Sequence, residues 1–270
     1  MSVSRFLAVL AFMTPLSATA HEFWIEPVLY QVEPGETLQA NFKNGQEFVG
    51  STLSYFDRNS ARFDMIADGQ RTELSPRAGD SPAFDTPAPL EDGLVVVVHE
   101  TAPSFVTYRE WAKFLKFVKH KDFANAVDDH IAAGWSQERF RERYTRHVKS
   151  LMAVGSGKGV DEPVGLVTEI VALTNPYEDT FTNNMKISVL YQGEPRADAK
   201  VEVFERAPDD SVTISLHRTD SNGQAEIPVA PGHSYLFDAV VLRPAAQADA
   251  SENAVVWETF WAGLTFAVPQ

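Results

Sequence analysis

Seven histidines provide the main metal-binding capacity of this 270-residue sequence, which contains no cysteine. Without thiolates, a transition-metal site must use imidazole, carboxylate, backbone or terminal amine groups. The histidines show no HxxxH or HExxH spacing, so no single helix is predicted to present two of them on one face. A metal site would therefore combine distant segments of the chain, or use more than one nitrogen of a single residue.

His21 is the strongest candidate metal ligand because it follows a predicted cleavage site. Residues 1–20 combine a basic start, an apolar run over residues 6–16 and the small-residue pattern Ala18-x-Ala20, which indicate a signal peptide removed before His21. A chain that begins at His21 would offer its α-amine and its imidazole Nδ1 to one ion. These two nitrogens suit Ni(II), Co(II) or Cu(II), and the ion can displace the amine proton near neutral pH.

Two further histidines are candidate ligands. His99 ends a continuous apolar run and precedes Glu100, and strand ends are rigid positions for ligands. A half-buried histidine bonded to a carboxylate would produce the same pattern. His130 lies on the apolar stripe of a predicted helix, where a lone histidine is more often part of the core. Of the other four histidines, His147 is predicted to pack in the core. The remaining three are predicted to be solvent-exposed: His120, His217 and His233.

Catalytic patterns are weak in this sequence. Ser156 lies between two glycines but lacks the rest of a nucleophile elbow. The paired carboxylates at 128–129 and 209–210 are typical of solvated helix or loop surfaces. The sequence therefore favours a binding protein over an enzyme.

Charge and hydropathy limit the classes of partner. The formal net charge is −14, and removal of residues 1–20 would leave about −15 because Arg5 is their only charged side chain. Nucleic acids and anionic lipids bind clustered lysine and arginine, so neither is an expected partner. No segment after residue 20 approaches the roughly 20 apolar residues of a membrane-spanning helix. We expect a periplasmic, soluble protein without stable membrane insertion.

Periodicity predicts two β-rich regions around a helical segment. Residues 23–101 contain alternating apolar and polar runs separated by glycine and proline, and residues 164–270 return to this pattern. Between them, apolar residues recur every three or four positions in three predicted helices: residues 108–120, 123–133 and 137–154.

The predicted organisation follows from these patterns. Residues 1–20 form a signal peptide, residues 21–154 a β-rich domain with a three-helix segment, and residues 164–270 an antiparallel β-sandwich. The glycine-rich segment 155–159 is read as a linker. The fold class is mostly β with a helical insert, ending in an immunoglobulin-like or prealbumin-like sandwich.

Several motifs together resemble one bacterial family, the periplasmic component of nickel/cobalt ABC-type transport, much of which is described only as a domain of unknown function. The similarity begins with HEFWIEP at residues 21–27 and extends through most of the predicted mature chain, with the other matching segments at residues 99–104, 141–144, 169–177 and 257–266.

The resemblance implies a periplasmic accessory protein that binds Ni or Co for a membrane ABC-type transporter, with His21 as a ligand. His99 and His130 match positions where that family tends to carry histidine. Relatives often have another histidine near residues 239–244, and this chain has none there. Two alternatives remain open: a copper protein in which His21 and a second histidine form a histidine brace, as a carrier or an oxidative enzyme, and a non-metal immunoglobulin-like adhesion or assembly module.

Overall fold

The computed structural model describes residues 21–251 and 253–270. The predicted signal peptide, residues 1–20, lies outside the described residues. Within them the chain forms eighteen β-strands and two α-helices. The predicted class, mostly β with a helical segment, is confirmed. None of these helices is long and apolar enough to cross a membrane.

The strands fall into three sheets. The elements of the N-terminal half are β1 (Glu22–Pro27), β2 (Gln31–Val32), β3 (Thr37–Gln46), β4 (Val49–Leu53), β5 (Ser60–Ala67), β6 (Gln70–Glu73), β7 (Phe84–Pro87), β8 (Gly93–Thr101), β9 (Ser104–Tyr108), α1 (Trp111–Lys121), α2 (Ala126–Ala132) and β10 (Phe140–Val154). They are followed by β11 (Thr168–Ala172), β12 (Asn184–Tyr191), β13 (Glu194–Pro195), β14 (Lys200–Arg206), β15 (Val212–Arg218), β16 (Gln224–Pro228), β17 (Ser234–Pro244) and β18 (Val255–Ala267).

A ten-stranded sheet forms the centre of the molecule. Its main order is β15-β14-β17-β18-β10-β8-β5-β6, and β2 and β9 also pair with β10. This sheet contains strands from both sides of the predicted boundary at residues 155–159. Its two longest strands, β10 and β18, run parallel, with Tyr144 opposite Thr259 and Ser150 opposite Thr265.

Smaller layers cover both faces of the central sheet. On one face lie the sheet of β1, β3, β4 and β7, and beside it the two helices. On the other face lies the sheet of β11, β12, β13 and β16, which completes the C-terminal sandwich. Alternate residues of β10 enter the two cores, Met152 on the first face and Leu151 on the second. Side chains of a central strand point alternately to opposite faces, which gives this pattern.

The helices cover the aromatic end of the first face. Phe114 of α1 is fully buried and packs against Phe140 and Trp257. Burial of a side chain of this size stabilises the fold by about 1.5–3 kcal/mol. α1 ends at Lys121, and the next residue, Asp122, adopts a left-handed conformation with φ of 64°. The helices predicted over residues 108–120 and 123–133 are thus present in shorter form.

The third predicted helix, over residues 137–154, is wrong. The segment forms the strand β10, which pairs with β18, β8, β9 and β2. A strand buried on both faces carries apolar residues at nearly every position, so a helical spacing can be picked out of it by chance. Pairing with strands more than 100 residues away decides the conformation here.

Candidate metal centre at His21

His21 lies at the entrance to β1 with its side chain exposed and its backbone anchored. Its carbonyl oxygen accepts a hydrogen bond from the Arg146 guanidinium. That guanidinium is itself held over two rings, with its central carbon 4.7 Å from the Tyr144 centroid and 5.5 Å from the Trp261 centroid. The first residue after the predicted cleavage site is therefore fixed to β10 instead of being left to fray.

Glu22 points from the opposite side of β1 into the protein. Its side chain is buried, and Oε2 has no hydrogen-bond partner among the described residues. Gly45 is the residue paired with Glu22 on β3, and a Cβ there would overlap the carbonyl of Val49, so no side chain fills this part of the hairpin. Burial, reinforced by the negative charge of Asp238, raises the pKa of Glu22 to about 7.

A buried ion-pair cluster lies beside Glu22, on β14, β17 and the end of α1. Lys121 donates to Glu202 and to Asp238, with 2.8 Å between Nζ and Asp238 Oδ2. The same ammonium lies 4.7 Å from the centroid of Trp261. Burial raises the pKa of Asp238 and the Lys121 charge only partly offsets it. Three acids, counting Glu22, thus surround one buried lysine.

Glu202 also accepts from a histidine at the surface. His120 Nε2 lies 3.0 Å from Glu202 Oε1, and the His120 side chain is half exposed. Burial alone would raise the pKa of Glu202, but hydrogen bonding to His120 and the charge of Lys121 outweigh it and lower the pKa to about 2. This carboxylate is therefore ionised at every physiological pH.

His99 is placed in an aromatic core beneath β1. Its ring centroid lies 4.3 Å from Phe42, 5.3 Å from Phe63 and 5.5 Å from Phe23. Nε2 is 3.0 Å from Ser60 Oγ, and the buried Nδ1 has no partner among the described residues. Burial lowers the pKa of His99 to about 3, so the imidazole is neutral.

His130 is buried with both ring nitrogens occupied. Trp257 Nε1 donates to Nδ1 at 3.0 Å, which leaves Nε2 as the protonated nitrogen, 3.0 Å from the Ser136 carbonyl oxygen. The rings of Trp111 and Phe140 enclose it, at 4.7 and 4.6 Å between centroids. This arrangement leaves no lone pair on the imidazole for a metal ion.

The three predicted ligands are not gathered at one point. In residues 21–251 and 253–270, no group of three histidine, aspartate or glutamate side chains is arranged to hold a metal ion. The ligand roles of His99 and His130 stay predictions. A site at His21 would depend on the two nitrogens of that residue, because the adjacent Glu22 carboxylate is buried on the other side of β1.

Sequence reasoning did not find the buried cluster or its link to Arg146. The available signal was a charged residue inside an otherwise apolar strand, as at Glu202 between Val201 and Val203, and at Asp238 between Phe237 and Ala239. A charge at such a position is buried only if it is paired. Its partner, Lys121, is 81 residues away from Glu202, so spacing could not reveal the pair.

A further buried acid, Glu142, gives a pH-dependence prediction. Glu142 accepts hydrogen bonds from Tyr108, at 2.9 Å, and from Thr259, and burial raises its pKa to about 7. The folded state therefore holds a proton that the unfolded chain releases near pH 4.5, and stability falls as pH rises from about 4.5 to 7. We expect Glu142→Gln to remove up to about 3 kcal/mol of this loss, measured by urea unfolding at pH 5 and pH 8.

The matched control for this prediction is Glu138→Gln, which changes an exposed acid on the segment preceding the same strand. It should leave the pH dependence as in the unmodified protein. Equal pH slopes for the Glu142 variant and the unmodified protein would contradict the prediction.

Two solved structures show distant similarity to this chain. A tetra-tandem repeat from the extending region of a large adhesion protein matches 92% of this chain at 8% identity, with a TM-score of 0.25. The chain spans 50% of that structure. The D0-D1 domain of intimin matches 90% of this chain and 97% of its own length, at 11% identity and a TM-score of 0.21.

Sequence comparison is more decisive. No curated protein matches the chain significantly. A family model matches residues 18–243 and carries no assigned activity, so the nickel or cobalt transport role implied by the sequence resemblance stays a prediction. Because the match extends over most of the sequence, the chain belongs to the family described as Domain of unknown function (DUF4198).

Proposed function

We propose that this protein, once cut before His21, captures a divalent transition metal outside the cytoplasm through the α-amine and Nδ1 of His21. Nickel or cobalt is the proposed cargo, and a membrane ABC-type transporter is the proposed recipient. The protein acts as a binding protein and not as an enzyme.

One observation carries this proposal: the His21 side chain is exposed while its backbone is held by Arg146. A terminal residue that is already ordered loses little conformational freedom when it binds, so more of the interaction energy appears as affinity. An exposed side chain leaves the ion accessible for transfer to a second protein. Both properties suit a carrier better than a permanent structural metal site, which is normally closed.

Electrostatics also favour cation capture at this position. The whole chain has a formal net charge of −14, which attracts cations from solution. Glu22 follows His21 along the chain, but its carboxylate points to the other side of β1 and is buried. The proposed site therefore uses the two nitrogens of His21.

The histidine-brace alternative requires a second imidazole beside His21. His130 has both nitrogens engaged and His99 is enclosed by phenylalanine rings. These placements favour a carrier using one histidine over a copper brace. Copper still outcompetes nickel at most nitrogen sites, so affinity alone does not identify the cargo.

The test is isothermal calorimetry with Ni(II), Co(II), Cu(II) and Zn(II) on a chain that begins at His21 and on the same chain with its α-amine acetylated. Acetylation converts the amine into an amide and removes the chelate ring without supplying a new terminal amine. We expect affinity for Ni(II) and Co(II) to fall about 100-fold, or about 2.7 kcal/mol. The control is His217→Ala in the chain that begins at His21, which should bind as the unmodified protein does.

The alternative outcomes are distinct. Equal binding by both chains would place the metal away from His21. No binding by either would leave the adhesion or assembly module as the better account, and a stoichiometric copper site that resists nickel competition would favour the copper carrier.

A further inference from the structure

Strand β15 lies at one end of the central sheet, and its outer edge is free. It pairs with β14 and with no other described strand, and its seven residues make it the longest described strand with a single partner. The pairing continues from Val212 to Arg218 without a register shift. The outer edge of such a strand presents unpaired N–H and C=O groups, which can pair with another chain.

Solvent reaches both faces of β15, because five of its seven residues are exposed. Ile214 and Leu216, which are 42% and 62% exposed, point to the same face of the strand, as alternate residues do. Natural proteins commonly protect such edges with lysine, proline or a β-bulge. β15 has none of these three features, so its edge is open to strand pairing.

The even-numbered residues of β15 direct their backbone groups away from β14. Just beyond one end of the strand pair, the Ala207 N–H donates to the Ser211 carbonyl oxygen at 2.9 Å. Just beyond the other end, the Thr219 N–H donates to the Ala199 carbonyl oxygen at 3.1 Å. Hydrogen-bonded and non-hydrogen-bonded pairs alternate along an antiparallel ladder. The odd-numbered residues of β15 therefore bond to β14, and the N–H and C=O groups of its even-numbered residues are left for a partner.

The free edge is complementary to a second copy of itself. When two β15 strands run antiparallel with their Ser215 residues opposite each other, Ile214 of each copy lies opposite Leu216 of the other. The even-numbered residues of both strands then form the hydrogen-bonded pairs, so the outward N–H and C=O groups match. The four aliphatic side chains meet on one face of the joined sheet, where cross-strand pairs stabilise the contact.

Charge also favours a second copy over a charged peptide. Arg218 is the only formally charged residue of β15, and it already binds Asp122 and Asp198. Pairing two copies therefore places no unpaired charges of this strand opposite each other, although the whole chain has a formal net charge of −14. A strongly basic or acidic peptide would find no free charge on the strand to bind.

We propose that this protein forms a homodimer in which the β15 edges of two copies pair antiparallel about Ser215. The two central sheets thereby become one continuous sheet. Because both copies use the same surface, the contact closes with twofold symmetry and does not propagate. No group of the proposed metal site takes part, so the dimer does not depend on metal capture. The paired strands are short, and interfaces below about 1,200 Å² in total are generally weak, so we expect a reversible dimer at micromolar concentrations.

The test introduces a single cysteine, because the chain contains none. In the proposed register, Ser215 faces Ser215 of the second copy in a non-hydrogen-bonded pair, whose Cα atoms are about 4.5 Å apart. A disulfide spans this distance. Thr213 lies on the same face of the strand and is also exposed, but its two copies would be four residues apart along the strands, or about 13 Å. We expect Ser215→Cys to form a disulfide-linked dimer in diamide at least tenfold faster than Thr213→Cys.

Sedimentation equilibrium of the chain that begins at His21 tests the dimer without a cross-link. We expect its average mass to rise from that of a monomer towards twice that value with increasing concentration. Ile214→Lys, Leu216→Lys places like charges opposite each other and should leave a monomer. The matched control is Val49→Lys, Leu53→Lys on β4, where the native residues are 66% and 39% exposed, and it should dimerise as the unmodified protein does. Circular dichroism of every variant verifies the fold.

Four results would overturn the proposal. Equal cross-linking rates for the two cysteine variants would show random collision or another register. A dimer that persists in the Ile214→Lys, Leu216→Lys variant would place the interface elsewhere. Assemblies larger than a dimer would show a contact that does not close. A monomer throughout the micromolar range would leave the β15 edge to a strand of a different protein.

Discussion

Replacing Lys149 with methionine is expected to lower the free energy of unfolding by about 3–5 kcal/mol at pH 7. The Lys149 ammonium lies 2.6 Å from Asp161 Oδ1 and 3.0 Å from Glu169 Oε1, and all three side chains are at most 2% exposed. Methionine keeps the apolar stem but leaves two buried carboxylates without their cation. Urea unfolding monitored by tryptophan fluorescence measures the loss.

A rescue variant separates the charge effect from packing. Adding Asp161→Asn and Glu169→Gln to the Lys149 variant removes the unpaired charges, and we expect it to restore most of the stability. Lys186→Met is the matched control, because the ion pair of Lys186 with Glu226 is 3.5 Å long and half exposed on both sides. Such surface pairs contribute about 0–1 kcal/mol. A loss for the Lys149 variant as small as that of the control would contradict the prediction.

Replacing His99 with phenylalanine is expected to make the protein much less sensitive to acid. The pKa of His99 is lowered by burial from 6.5 to about 3, so the unfolded chain takes up a proton between these values and the folded protein does not. Stability therefore falls as pH decreases below about 6.5. We expect this residue alone to account for about 4 kcal/mol of the loss between pH 7 and pH 3.5, measured by urea unfolding across that range.

The control for this prediction keeps the imidazole and removes its hydrogen-bond partner. Ser60→Ala eliminates the hydroxyl 3.0 Å from His99 Nε2, and we expect a loss of about 1 kcal/mol at pH 7 with acid sensitivity unchanged. If the phenylalanine variant and the unmodified protein lose stability in parallel on acidification, His99 is not the group responsible.

Local patterns predicted the strands and two helices because burial on one face has a local signature. The run Leu94–Val98 indicated a strand buried on both faces, and β8 is buried at these five positions. The same reasoning failed for β10, where Phe140, Tyr144, His147 and Leu151 fit a helical stripe. The pairing of β10 with β18 across more than 100 residues has no local signature.

The candidate site, like the fold, could be predicted from the sequence only in part. His21 could be singled out from the sequence because its chemistry depends on a cleavage pattern directly before it. Arg146, which holds the backbone of His21, is 125 residues away and looks like an ordinary strand charge in the sequence. The buried ion-pair cluster next to Glu22 joins residues from α1, β14 and β17, so only the folded topology assembles it.

The parallel pairing of β10 with β18 determines when the molecule can fold. β18 lies between β17 and β10 in the strand order, so the middle of the central sheet stays open until residues 255–267 have been synthesised. Such high contact order slows folding, because long loops must close before these contacts form. The nascent chain therefore cannot complete this sheet before β18 has been made, and until then its unpaired strands stay available to chaperones.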